Sequence, residues 1–248
     1  MCLIVFAWKI IPCTPLIVAS NRDEFYDRPA SAADWWKDSP HVFGGKDLQS
    51  GGTWMGVRTS DNAVPQTIKF SAITNIRAPS KFRQDAPSRG ALVANYLTNQ
   101  LSAKEYIDSI KDQADLYNGF NLLIGDQNDL IWFSNSTTDD ERNGQPLSPG
   151  IYGISNASLD TPWPKVVKTK AEFASLICQR APQDAYFEML SNTTQAPDCR
   201  LPDTGVSFEM ERVLSAACIE SPTYGTRVSS LVKIHDDYPP DFQEKLLR

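Results

Sequence analysis

The residue best equipped for chemistry in this chain is the second one. If the initiator methionine is removed, which the small Cys2 side chain permits, the chain begins with a thiol and a free α-amine on one residue. An α-amine has a pKa of about 7.7 to 8.0 and a free thiol about 8.5, so near neutral pH the neutral amine can take the thiol proton and later return it. The thiolate is then the attacking species and the amine the general acid and base. Position alone equally fits a cysteine that merely begins a hydrophobic strand, since free cysteine behaves as a small hydrophobe.

Such a nucleophile needs a rigid mount. The run from Cys2 to Trp8 is apolar and β-branched enough for a buried strand, and Leu16 to Ser20 is a second, with Pro12 and Pro15 bounding the turn between them. A hairpin of this kind holds the first residues inside a sheet and brings Asn21, Arg22, Asp23 and Glu24 close to Cys2. A terminus normally frays; this one is anchored.

Farther along, the stretch from Asp34 to Gly52 is mixed, and its glycines suggest tight turns. Trp54 to Val57 and Ile68 to Ile73 read as strands, the second delivering Thr74 and Asn75 at its end. Ser88 is placed to cap a helix carrying Leu92, Val93, Tyr96 and Leu97, and Ser102 begins another that runs to about Lys111. Phe120 to Ile124 and Leu130 to Phe133 form a hairpin, and Gly150 to Ile154 a strand ending on Ser155 and Asn156. A helix opens at Trp163-Pro164-Lys165 and runs to about Arg180, with Val167, Ala171, Ala174 and Cys178 on one face. Further helices are expected at Gln183 to Leu190 and near Phe208 to Ala217, and a strand from about Arg227 to Ile234. With no repeat or low-complexity linker, residues 1–248 read as one domain of the α+β class, antiparallel sheets packing against helices.

Composition narrows the partners. A net charge of −6 with no dense basic cluster argues against nucleic acid. No apolar run is long enough for an integral membrane segment, and Lys9, Pro12 and Pro15 interrupt the only signal-like stretch. Five cysteines without CxxC spacing and two histidines, His41 and His235, speak against a zinc site or a disulfide framework, and for a reduced, cytoplasmic protein. The GGTW segment at Gly51 lacks the lysine of a phosphate loop and the pattern of a dinucleotide site, so no cofactor is expected and the partner is a small-molecule substrate or ligand.

Several polar motifs recur in a fixed order: Met-Cys ahead of an apolar strand, Asn21-Arg22-Asp23-Glu24-Phe25-Tyr26 with Arg28-Pro29, Gly51-Gly52-Thr53-Trp54-Met55-Gly56, Thr74-Asn75, Ser88-Arg89-Gly90, Ser155-Asn156-Ala157, Asp160-Thr161-Pro162-Trp163-Pro164-Lys165 and Tyr224-Gly225-Thr226-Arg227. Together they resemble the NRDE-motif family, whose animal members are called transport and Golgi organisation proteins. The resemblance implies the four-layer αββα fold of N-terminal-nucleophile hydrolases, in particular the cysteine branch of penicillin V acylase and bile salt hydrolase. On that branch's pattern Cys2 is the nucleophile, Asp23 positions its amine and thiol, and Asn75 and Asn156 supply the oxyanion donor and the substrate-orienting amide. The arginine departs from it, because the acylases carry theirs three positions before the aspartate, where this chain has Ser20. Arg22 instead adjoins Asp23, and neighbouring side chains on a strand point to opposite faces.

Other readings stay open for these residues. Arg22 with Asp23 or Glu24 also makes a structural ion-pair cluster, Asn75 and Asn156 also cap turns, and Trp54 serves as core or pocket wall. Arg22, Trp54 and Arg227 are the expected substrate-binding residues, Arg227 offering a fixed fork of donors for a carboxylate or phosphate. The expected function is hydrolysis of a linear amide or acyl bond. The alternative, which the family resemblance also implies, is a binding or trafficking protein for haem, acyl-coenzyme A or a lipid-like ligand.

Overall fold

A computed structural model of the chain describes residues 2–59, 68–126, 128–137 and 139–248. Strands β1 (Cys2–Ile11) and β2 (Thr14–Phe25) form the expected hairpin and pair from Cys2 opposite Arg22 to Ile11 opposite Thr14. They lie at the centre of a five-stranded antiparallel sheet of order β11-β10-β2-β1-β9, where β9 is Gly150–Ile154, β10 Tyr224–Ile234 and β11 Asp241–Leu246. A second antiparallel sheet runs in chain order through β3 (Ala30–Trp36), β4 (Ser39–Asp47), β5 (Met55–Arg58), β6 (Lys69–Asn75), β7 (Phe120–Gly125) and β8 (Leu130–Ser134). The fold is mixed α/β, with five α-helices among the described residues.

Period-two alternation decides what each face of the first sheet meets. Ile4, Phe6 and Trp8 of β1 and Leu16 and Val18 of β2 pack against Met55, Val57, Phe70 and Trp132 of the second sheet. The intervening positions Val5, Ala7, Ile17 and Ala19 meet Phe173 and Ile177 of α3 (Pro164–Cys178) and Tyr186, Met189 and Leu190 of α4 (Gln183–Leu190). Ile73, Leu122, Ile124 and Ile131 on the other face of the second sheet pack on α1 (Gly90–Thr98) and α2 (Ala103–Ile110). Both faces of β1 are therefore covered, which is why its sequence is apolar without alternation. Full burial of one side chain such as Phe6 contributes roughly 1.5–3 kcal/mol, so a row of them keeps the first strand from fraying.

Four expectations are corrected. The mixed stretch from Asp34 to Gly52 consists largely of β3 and β4, whose alternation is broken by register shifts between Ser31 and Asp34 and between Trp35 and Trp36. The edge strand β11 was not anticipated, because Asp241-Phe242-Gln243-Glu244-Lys245 is half-exposed and mostly polar. Helix α1 starts two residues beyond Ser88, with Arg89 at its N-cap and no side-chain cap. In α3 the buried face is Val166, Thr169, Phe173 and Ile177, whereas Val167 is 44% exposed and Cys178 is exposed. The Ser102 start of α2 stands as expected, with a capping box to Glu105. All five cysteines are free, and no helix among the described residues is long and apolar enough to cross a membrane.

Candidate functional site

The NRDE segment lies at the end of β2, and its four side chains divide by strand alternation. Asn21 faces the helices: its amide donates to the carbonyls of Leu190 and Ala217, both at 2.8 Å, and its Oδ1 accepts from Ser229. Arg22 faces the second sheet, with its guanidinium 4.2 Å over the Trp54 ring. Asp23 returns to the helix side and accepts a 2.6 Å bond from the Thr226 hydroxyl, which itself accepts from the Ile219 N–H. Glu24 turns toward Arg28, 3.7 Å away, and also stands 3.9 Å from Arg22; α5 (Phe208–Leu214), far along the chain, carries Glu211.

Cys2 stands where these two faces meet. Because it is the first residue of β1 and pairs with Arg22, it borders Arg22 on one side of the sheet and Asp23 on the other. Opposed residues of an antiparallel pair share a face, so the Cys2 side chain lies on Arg22's side of the sheet and the Asp23 side chain on the other. Cys2, Arg22, Asp23, Trp54 and Asn75 all line one cleft of about 420 Å³, whose remaining wall includes Arg89 and Gly90 at the start of α1.

A polar tether holds the two sheets together beside the cysteine. The Ser155 hydroxyl, just past β9, lies 3.0 Å from the Cys2 carbonyl oxygen and 3.2 Å from Asn156 Oδ1. The Asn156 amide donates to the Asn75 carbonyl at 2.8 Å, and the Thr74 hydroxyl donates to the Ser155 carbonyl at 2.6 Å. Asn121 completes the set, donating to Thr74 Oγ1 and the Ala157 carbonyl while accepting from the Trp132 indole. Each of these groups is buried, and an unmade bond there costs about 1–3 kcal/mol. The distance between Cys2 and Asn75 is thereby fixed by side chains of β7, β8 and the loop after β9.

Behind Cys2 lies a buried set of charges. Burial pushes the Cys2 thiol up, Asp23 adds to the rise and Arg22 opposes it. Burial likewise raises the Asp23 carboxyl, with Lys165 and the Thr226 hydrogen bond pulling it back. Lys165, in the first turn of α3, is 3% exposed, and burial pushes its ammonium down to about 8 against the attraction of Asp23. Its Nζ finds no hydrogen-bond partner among the described residues. Arg77 pairs with Glu211 of α5 at 2.7 Å and lies over the Trp163 ring. No group of three or more metal-ligating side chains occurs among the described residues.

Of the residues singled out in the sequence, Cys2, Arg22, Asp23, Trp54 and Asn75 converge on the cleft. Asn156 does not line it and acts on it through the Asn75 carbonyl. Arg227 lies elsewhere: it donates to the carbonyls of Phe25 and Arg28 and braces the turn after β2. His235 contacts Thr14, and neither it nor His41 lines the cleft. Sequence reasoning passed over Lys165, Arg83 and Arg89. The signal for Lys165 was a lysine among apolar neighbours at a proline-started helix, and for Arg89 its place between Ser88 and Gly90 at a helix start.

The sequence matches known proteins along its whole length. The family model described as Transport and Golgi organisation 2 matches residues 1–248. The chain is 34% identical over 265 residues to the Transport and Golgi organization protein 2 homolog of Bos taurus, covering 99% of this chain and 92% of that protein. The Homo sapiens homolog is 32% identical over 269 residues with the same coverage, and the Drosophila melanogaster protein 30% over 277 residues, covering all of this chain and 92% of its relative. The chain belongs to the Transport and Golgi organisation 2 family.

Proposed function

We propose that the protein is an N-terminal-nucleophile hydrolase in which Cys2 attacks a linear amide or related acyl bond of a small molecule, and that its two sheets with helices outside them form the corresponding four-layer αββα fold. The observation that carries this reading is the convergence of Cys2, Asp23 and Asn75 on one cleft, at the start of a strand that is buried on both faces.

With Met1 removed, the Cys2 amine takes the thiol proton as sulfur bonds to the acyl carbon. The Asn75 amide donates to the oxyanion, and loss of one such donor typically slows a reaction about a hundredfold to a thousandfold. The amine then passes its proton to the leaving nitrogen as the carbon–nitrogen bond breaks, leaving a thioester. Water adds, the acid departs and the thiol is restored. Asp23 holds the amine in place, and the raised thiol pKa is the reason an adjacent base is required.

The test begins with the intact mass of untagged protein from its own host. A mass short by one methionine, followed by acyl-amide turnover in the wild type that Cys2→Ser lacks, supports the mechanism. Methionine retained on essentially every molecule sinks it.

The raised pKa of the Cys2 thiol also favours a second reading, in which the fold binds a ligand without cleaving it, because a half-buried thiol held protonated is unreactive on its own. The relatives' names refer to transport and Golgi organisation, which suits a carrier. With no histidine lining the cleft, an acyl-coenzyme A or lipid-like ligand fits this reading better than haem.

A further inference from the structure

The cleft is unusual in its cations. Arg22, Arg28, Arg83 and Arg89 all line it, in a chain of net charge −6. One of them is neutralised locally: Arg28 pairs with Asp47 at 2.8 Å and also bonds the Ser50 hydroxyl. Arg22 stands 3.9 Å from Glu24, a carboxylate that Arg28 shares at 3.7 Å, and Asp23 and Asp47 also line the cleft. Arg83 donates to the carbonyls of Asp115, Leu116 and Tyr117, and Arg89 to that of Gly119; neither meets a carboxylate within ion-pair distance among the described residues.

Arg22 is the most telling. It is 5% exposed, its Nη1 has no hydrogen-bond partner among the described residues, and Glu24 stands 3.9 Å from its Nη2. A buried guanidinium 4.2 Å from the centre of an indole ring, with one donor unfilled, is suited to a planar acceptor. Beside it the nine-residue helix α1 begins at Gly90, with no acidic residue in its first turn; its Ala91 and Leu92 N–H groups meet the Ser88 and Arg89 carbonyls at 3.2 and 3.0 Å, so it brings the positive end of its dipole to the cleft rather than open donors. Such a helix start favours a negative group.

The geometry points to an oxyanion subsite formed by Arg22, Arg89 and the start of α1, so that the small molecule bound beside Cys2 carries a carboxylate or phosphate group. This rests on the cleft being the ligand site, which both readings above share, and not on Cys2 being reactive. Arg22 binds the anion through its planar fork, Arg89 adds charge from its own place on the lining, and Trp54 supports the first guanidinium with its ring.

The test uses full-length protein carrying Cys2→Ala, so that binding is read without turnover. Three ligands of equal chain length are compared by calorimetry: N-hexanoylglycine, hexyl phosphate and the neutral N-hexanoylglycinamide. At least one of the two anions is expected to bind about tenfold or more tighter than the neutral amide. The better of the two identifies the group. Arg89→Gln, at a half-buried position, is expected to bring that anion down to the level of the amide, and Arg22→Gln to do the same if it folds. Equal affinities, no measurable heat with any ligand, or an anion preference that survives Arg89→Gln would overturn the subsite. Failure of the hydrolase mechanism is seen separately, as absence of turnover in protein that retains Cys2.

Discussion

The side-chain amide of Asn156 donates to the main-chain carbonyl of Asn75 at 2.8 Å, so the loop after β9 in one sheet holds the end of β6 in the other. Asn156→Ala removes the donor and leaves a buried carbonyl unsatisfied, with an expected loss of about 1–3 kcal/mol in urea denaturation. Asn75→Ala keeps that carbonyl and alters only a half-exposed side chain, so its stability loss stays below about 1 kcal/mol. If Cys2 turns over an acyl amide, both variants slow it. Only Asn156→Ala is also less stable, and equal stability in the two would contradict the tether.

Thr226 both donates to Asp23 and accepts from the Ile219 N–H. Thr226→Val keeps the shape and removes both bonds, which costs about 1–3 kcal/mol for each buried group left unmade. It also takes away a bond that holds the Asp23 carboxyl down, so that group rises further. A carboxyl raised in the folded state contributes stability that is present below its unfolded pKa of about 3.9 and is lost as pH climbs through the folded value. The deficit of Thr226→Val relative to wild type is therefore larger at neutral pH than near pH 4, as denaturation at the two pH values will read.

Gly51 and Gly52 both have positive φ, at 70° and 77°, but their surroundings differ. A Cβ on Gly51 meets nothing within 4 Å, whereas one on Gly52 falls 2.5 Å from the Gly90 carbonyl. Gly51→Ala should cost only the backbone strain, roughly 1–2 kcal/mol. Gly52→Ala should cost more and displace the start of α1, weakening any anion bound there. Thermal unfolding of the two single variants makes the comparison.

Lys165 supplies a test in alkaline solution. Its ammonium is pushed down to about 8 by burial, below the ordinary value of about 10.4. Between those values the unfolded chain binds more protons than the folded one, so this residue makes stability rise with pH across that window. Lys165→Met deletes the contribution, and its stability should climb less than that of the wild type between about pH 8 and pH 10. Parallel slopes in urea denaturation would show that Lys165 is not buried as described.

How far all this was legible in the sequence depended on what specified each element. The β1–β2 hairpin, β7 and β8, α4 and the Ser102 cap were readable because continuous apolar runs, proline bounds and a capping box act over neighbouring residues. Strands β3 and β4 were missed because their bulges break the period that identifies a strand, and β11 because an edge strand needs little apolar surface. Within the site, Cys2 was named from its residue type and position, and Asp23 from the family resemblance. That Asn156 works through a carbonyl, that Arg227 braces a turn, and that Arg89 lines the same cleft as Arg22 depend on contacts between residues far apart in the chain, which no local pattern encodes.

The hydroxyl of Ser155 grips the carbonyl of Cys2, and the ladder with β2 continues to that same residue, so the strand keeps its direction up to the wall of the cleft. Cys2 is thus fixed in the wall of the cleft by two independent sets of bonds. A purification tag or fluorescent fusion placed at the Cys2 end would tie up the Cys2 nitrogen, and the hydrolase reading then predicts loss of turnover with the melting curve unchanged. Half-exposed β11, at the opposite end of the chain, is the better place for a handle.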